Sequence, residues 1–399
     1  MAHMRNIALL SGGQAIAGSS QGMVMAVGAL AAASLVMDMT YATVPTTVMI
    51  VCLALTAGPA AMILHRAGRT RGLVMGMSIA VIGALIVALA VYLEQFILFV
   101  AGFGLIGASA AFGQQIRFAA ADSVPPDLKA KAVSWVMFGG VLSGFLGPGL
   151  AGATADMVPG AQYSGSFIAL AAMVCIGIAL VAFTDLPKGQ PKPEPGKSGR
   201  AFGQLVRDPD IFVPMLTGMA SFALMTFVMV AAPLAMVYWC GHTPGEAATA
   251  IQWHIVAMFA PSFITGTIIN RIGTHFTVAI GLLLILASAG IALTGISVLH
   301  FNIGLILLGV GWNFGFIGST VMLTRGYRPE EGARAQALNE QVVFGGMALA
   351  SIGAGVLLNR FGWEAVNLMV MPIVVAVLLL LAWTDLRGRR LKQETAVSE

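Results

Sequence analysis

Ala61-Met62-Ile63-Leu64-His65-Arg66-Ala67-Gly68-Arg69-Thr70-Arg71 is a short basic stretch between two long apolar runs. The chain returns to the pattern at Gly266-Thr267-Ile268-Ile269-Asn270-Arg271-Ile272-Gly273-Thr274-His275. Both segments read small-x-Ile-x-polar-Arg-x-Gly. A second echo follows at nearly the same spacing, where Pro125-Pro126-Asp127-Leu128-Lys129-Ala130-Lys131-Ala132 is answered by Arg328-Pro329-Glu330-Glu331-Gly332-Ala333-Arg334-Ala335. Two halves of like design are the mark of a chain built from internal repeats.

Composition settles the solvent. The chain is 58% hydrophobic and 10% charged, with a mean hydropathy of +0.89. A soluble domain carries about 25% charged residues, so this chain is read as an integral membrane protein. Its apolar runs suit helices crossing a hydrocarbon core about 30 Å thick and lack the alternation of a membrane barrel. Twelve helices are expected, over roughly 7–36, 43–64, 72–93, 95–121, 132–156, 164–186, 211–237, 247–269, 276–297, 301–324, 335–358 and 363–384. The predicted organisation is a six-helix bundle over roughly 1–186, a linker at 187–208, a second bundle at 209–386 and a tail at 387–399.

Charge placement sets the expected orientation. Of the 21 Lys and Arg residues, all but Arg117 and Arg360 fall on one side of the predicted spans. That side is expected to be cytoplasmic, with both termini on it. The net charge of +4 lies in loops at one membrane face and is no nucleic-acid signal. The three cysteines are scattered and imply no disulfide framework.

Twelve helices, a central linker and a basic loop after the second helix resemble the major facilitator superfamily. Its hallmark loop reads Gly-x-Leu-x-Asp-Arg-x-Gly-Arg-Arg. Here Ala61 stands for the first Gly and Ile63 for the Leu, while Arg66, Gly68 and Arg69 match. His65 takes the acidic position, and Asn270 takes it in the second half. The resemblance implies a multi-pass transporter of the bacterial inner membrane, working by alternating access. It also implies a cavity lined by helices one, four, seven and ten. Ser143-Gly144-Phe145-Leu146-Gly147-Pro148-Gly149-Leu150-Ala151-Gly152 in helix five resembles a signature of proton-linked exporters, but Phe103 stands where that branch carries an Arg in helix four. Small residues there also permit close helix packing, with a bend at Pro148.

Ionisable groups within spans are expensive unless they face a cavity or a partner. Arg117 in helix four, with Gln114 one turn away, reads as an anchor for an anion or a gate cation, or as a side chain reaching the headgroups. Glu340 near the start of helix eleven is a candidate partner for Arg117 or a proton carrier, or a favourable charge at a helix N-terminus. His254 in helix eight is a candidate for proton coupling or a hydrogen bond between helices. Gln14 and Gln21 in helix one and Trp312 and Asn313 in helix ten are candidates for lining a solute site, or for holding helices together.

Other signals carry no chemistry. Gly102–Gly107 and Gly147–Gly152 both spell GxGxxG but follow no strand, and no Gly-Lys-Ser/Thr loop is present. No nucleophile–base pattern stands out, so the chain is expected not to be an enzyme and to use no cofactor or metal. The expected partners are a small organic solute, protons and the lipid bilayer, with a monomer as the working unit. The expected function is secondary active transport, by symport inward or antiport outward. A transport-inactive membrane receptor or assembly factor of the same fold is the alternative.

Overall fold

The computed structural model describes residues 2–35, 44–186 and 199–398. The linker segment 187–198 and the loop 36–43 lie outside these. Among the described residues the chain is helical throughout its ordered elements and contains no strand. Ten helices are long and apolar enough to cross a membrane, eleven if one bent pair counts as a single span. A 32-residue helix, Ala2–Ala33, precedes them in the chain.

The chain divides into two compact units. The first comprises Met1–Ser198 with Gly332–Gln341, the second Gly199–Glu331 with Val342–Glu399. The first unit holds α1 (Ala2–Ala33), α2 (Val44–Ala67), α3 (Arg69–Tyr92), α4 (Phe96–Gly113), α5 (Ile116–Asp122), α6 (Lys129–Phe138), α7 (Ser143–Ala153) and α8 (Ser164–Ala182). The second holds α9 (Phe202–Arg207), α10 (Pro209–Leu234), α11 (Pro244–Phe259), α12 (Ser262–Ile272), α13 (Thr274–Thr294) and α14 (Val298–Gly326). The last helix, α15 (Gly332–Ser398), breaks at Gly362 and gives its first ten residues to the first unit.

Several spans are less regular than their apolar runs suggest. Helix five is interrupted by a 3-10 turn at Gly139–Leu142, between α6 and α7. The side chain of Pro148 is not among the described ones. Gly147 lies against α1, where a Cβ would stand 2.6 Å from the Ser19 carbonyl, while Gly149 and Gly152 face open space. Helix eight bends by 43° between α11 and α12. Pro261 has no N–H to donate there, so the helical ladder cannot run through it. α10 ends in a wider π turn at Ala235–Trp239.

The repeat visible in the sequence has a backbone meaning. Gly68 ends the α2–α3 connection at φ 91°, ψ 150°, and Gly273 ends the α12–α13 connection at φ 88°, ψ 164°. Side-chain-bearing residues are excluded from that region by clash with their own backbone. The second echo is also conformational: Pro126–Leu128 and Pro329–Glu331 each form a 3-10 turn leading directly into a helix.

A Cβ at Gly273 would meet nothing within 4 Å, so strain there is purely torsional. Gly273→Ala is expected to destabilise by about 1–3 kcal/mol, read as a lowered melting temperature in detergent. Gly149→Ala, at a helical site with open space, is expected to leave melting unchanged or slightly raised.

Candidate functional site

In the first unit, the ladder of helix four is pinched at Gln114 and Gln115, where the Gln115 N–H bonds the Phe112 carbonyl three residues back. Helix α5 resumes immediately and carries Arg117. Its Nη2 donates to Glu340 Oε1 at 2.5 Å, with the two side chains 2% and 0% exposed. Asn339 Nδ2 donates to the same carboxylate oxygen at 2.9 Å. Gln114 Oε1 stands 3.5 Å from Arg117 Nη1, and the guanidinium lies 4.8 Å from the Phe118 ring centre. A buried pair of this kind offsets two desolvation penalties at once, so loss of either partner strands a charge.

One turn earlier on α15, Gln336 Oε1 accepts from Arg69 Nη2 at 2.6 Å. Arg69 also donates to Asp122 Oδ2, from Nη2 at 2.5 Å and Nε at 3.1 Å. His65 Nε2 lies 3.2 Å from the same guanidinium and accepts from it only as a neutral ring. Gln341 Nε2 donates to the Ala54 carbonyl at 3.0 Å. Gln336, Glu340 and Gln341 thus tie the first turns of α15 to α2, α3 and α5.

The structure therefore brings together Arg117, Gln114 and Glu340, and separately Arg69 and His65. Arg66 is exposed, and Gly68 is the turn residue described above. Gln14 is half-buried and Gln21 exposed on α1. Sequence reasoning missed Asp122 and Gln336. The signal was present: with His65 in the acidic position, the carboxylate facing Arg69 had to come from elsewhere, and Asp122 ends the helix that carries Arg117.

In the second unit, His254 is fully buried and donates from Nδ1 to the Leu305 carbonyl at 2.7 Å, joining α11 to α14. Asn313 Nδ2 donates to the Met258 carbonyl at 2.6 Å and to Ser262 Oγ at 2.5 Å, while its Oδ1 accepts from Thr265 at 2.7 Å. That amide fills the break in helix eight, supplying a donor where the ladder stops. Trp312 stacks on Phe316 at 5.0 Å and meets the edges of Phe222 and Phe259 at 5.5 and 5.6 Å. Its buried Nε1 finds no acceptor among the described residues.

A further cluster, absent from the sequence reading, ties the end of the linker to the second unit. Arg200 bridges Asp208 and Glu331, donating to the latter from Nε at 2.7 Å and Nη2 at 2.6 Å. The hydrogen bonds to Glu331 hold the guanidinium pKa above its ordinary value, so Arg200 stays charged at every accessible pH. No three His, Cys, Asp or Glu side chains converge as a metal site among the described residues.

A model of the Major Facilitator Superfamily matches residues 10–339. The chain belongs to this superfamily. It is 41% identical over 375 residues to the riboflavin transporter RfnT of Brucella anthropi, covering 94% of each chain. Among solved structures it resembles the human organic anion transporter MFSD10, with a TM-score of 0.77 at 14% identity over 96% of this chain and all of the other. It also resembles FucP, a transporter of the superfamily, with a TM-score of 0.76 at 15% identity over 96% of this chain and 99% of the other. The superfamily chain is thus a multi-pass membrane transporter for a small molecule and not an enzyme.

Glu340→Leu alone is expected to destabilise by about 3–5 kcal/mol, because Arg117 is left buried without its counter-charge. The double change Arg117→Met with Glu340→Leu is expected to recover most of that loss. Thermal unfolding in detergent of the unaltered protein, Arg117→Met, Glu340→Leu and the double variant measures it, and additive losses would show that the two side chains do not act as a unit.

Proposed function

We propose that this transporter carries riboflavin, or a flavin of the same ring system, inward across the cytoplasmic membrane. The observation that carries the proposal is the 41% identity to a riboflavin transporter across 94% of both chains. The residue chemistry supports it. A flavin presents a fused planar ring and a chain of hydroxyls. In the second unit Trp312, Phe316 and Phe222 pack together, with Trp312 and Phe316 buried and the indole N–H in want of an acceptor, so an opening of this group would present stacking surface to the ring. Gln14, Gln21 and Gln114 of the first unit offer amides suited to hydroxyl and imide groups. Asn313 has its amide occupied at the break in helix eight and is assigned to that task. Both termini and the Arg/Lys-rich loops are assigned to the cytoplasmic side of the inner membrane, with a single chain as the working unit.

Coupling to protons is assigned to Glu340. A proton on its carboxylate cancels the charge that holds Arg117 and loosens the start of α15 from α2, α3 and α5, which is the kind of bistable contact that alternating access requires. The bond of His254 to the Leu305 carbonyl favours a packing role for that side chain.

Vesicles containing the purified protein are expected to accumulate radiolabelled riboflavin under an inward proton gradient and to lose it with a protonophore. No uptake and no counterflow above empty vesicles at saturating riboflavin would remove the flavin assignment. Glu340→Gln is expected to keep counterflow while losing gradient-driven accumulation. Trp312→Ala is expected to raise the KM for the flavin by roughly threefold to tenfold, the loss of one aromatic stacking contact.

A further inference from the structure

The two units end their peripheral helices with the same words and close them differently. Ala182-Phe183-Thr184-Asp185-Leu186 follows α8, and Ala382-Trp383-Thr384-Asp385-Leu386 lies in the last part of α15. The shared loop pattern aligns Gly68 with Gly273 and so Thr70 with His275. In the first unit, Thr70 Oγ1 lies 3.1 Å from Thr184 Oγ1 and donates to its carbonyl at 3.3 Å, drawing the ends of α3 and α8 together. Those helices touch along their length: a Cβ at Gly177 would stand 2.5 Å from the Met77 methyl. In the second unit, Thr384 gives its hydroxyl to the Leu381 carbonyl of its own helix at 2.9 Å, and an imidazole replaces the opposing hydroxyl. Between α13 and the end of α15 a groove of about 490 Å³ opens instead, lined by His275, Phe276, Ala279, Val375, Leu379 and Ala382.

We propose that this groove binds one anionic phospholipid, with an acyl chain along the alkyl lining and the phosphate at the His275 end. Its walls belong to the surface that a spanning bundle turns to hydrocarbon, since Phe276 is 55% and Leu379 67% exposed. His275 lines the groove, and Arg271, exposed, stands four residues before it across the Gly273 turn. In sequence the groove-lining segment is followed by Asp385 and then by Arg387, Arg389 and Arg390. Basic pockets between spanning helices at the Arg/Lys-rich face select anionic headgroups by this complementarity. The first unit cannot offer the same site, because its threonine pair closes the equivalent seam.

Native mass spectrometry of the full-length protein, titrated with phosphatidylglycerol and with phosphatidylcholine, tests the proposal. One tightly held phosphatidylglycerol per chain is expected, with phosphatidylcholine displaced. Arg271→Gln is expected to weaken retention by about fivefold, the contribution of one Arg at an anionic surface. Ala279→Trp, which fills the groove, is expected to abolish retention while leaving riboflavin counterflow intact. His275→Thr, which restores the residue of the first unit, is expected to reduce it. Equal retention of both lipids, or undiminished phosphatidylglycerol binding in Ala279→Trp and Arg271→Gln, would overturn the proposal.

Discussion

A charge inside a hydrocarbon-spanning bundle survives only beside its counter-charge, and in the first unit this requirement converges on ten residues of α15. Arg117 and Arg69 are both almost fully buried, and each reaches a residue of that helix as well as the body of the unit. Glu340 and Gln336 are four residues apart, hence on one face of the helix, and they present their oxygens to the two guanidiniums. The start of α15 is held by electrostatics rather than by apolar burial alone. Such contacts are strong when matched and costly when half-made, which gives them two distinct states rather than a continuum. That is the physical property a gate needs.

The second unit solves a different problem. Its helix eight is broken at Pro261, and a broken ladder in a membrane exposes backbone polar groups that find no water. Asn313 answers from the neighbouring helix with both ends of its amide, and Ser262 and Thr265 complete the set. The adjoining Trp312 is left with an apolar ring stack and a donor in want of an acceptor. One position of helix ten therefore serves the fold, while the preceding one packs an indole whose N–H has no acceptor among the described residues.

The sequence reading succeeded where a residue's role depends on its own neighbourhood. Gly68 and Gly273 were read as the shared end of a repeated pattern, and both stand at the turn, where a backbone at φ near 90° favours glycine. The pairing of Arg117 with Glu340 was legible as one of several fates open to each residue, because few ionisable groups lie within spans and opposite charges seek each other. The reading failed at Asp122, Gln336 and the Arg200–Glu331–Asp208 cluster. Those residues look like ordinary loop or helix-end polar groups, and only for Asp122 did a signal exist, in the missing acid at His65. The repeat was read from two loops only; the matching Ala182–Leu186 and Ala382–Leu386 ends carry the same information and also mark where the two units part company.

By itself the sequence determined that the chain spans a bilayer many times, and it set the expectation of a repeated design with nearly all basic residues on one side of the spans. These follow from span length, backbone hydrogen bonding and the energetics of single charges in lipid, all of which act within one segment. Only the tertiary structure decided which polar groups meet. Arg69 finds Gln336 across 267 residues, and Arg117 finds Glu340 across 223. It also decided that Asn313 is engaged with a helix break, and that one seam is closed by two threonines while its counterpart is open. Such pairings depend on how helices far apart in the chain are rotated against one another, and a helix's own periodicity leaves that rotation free.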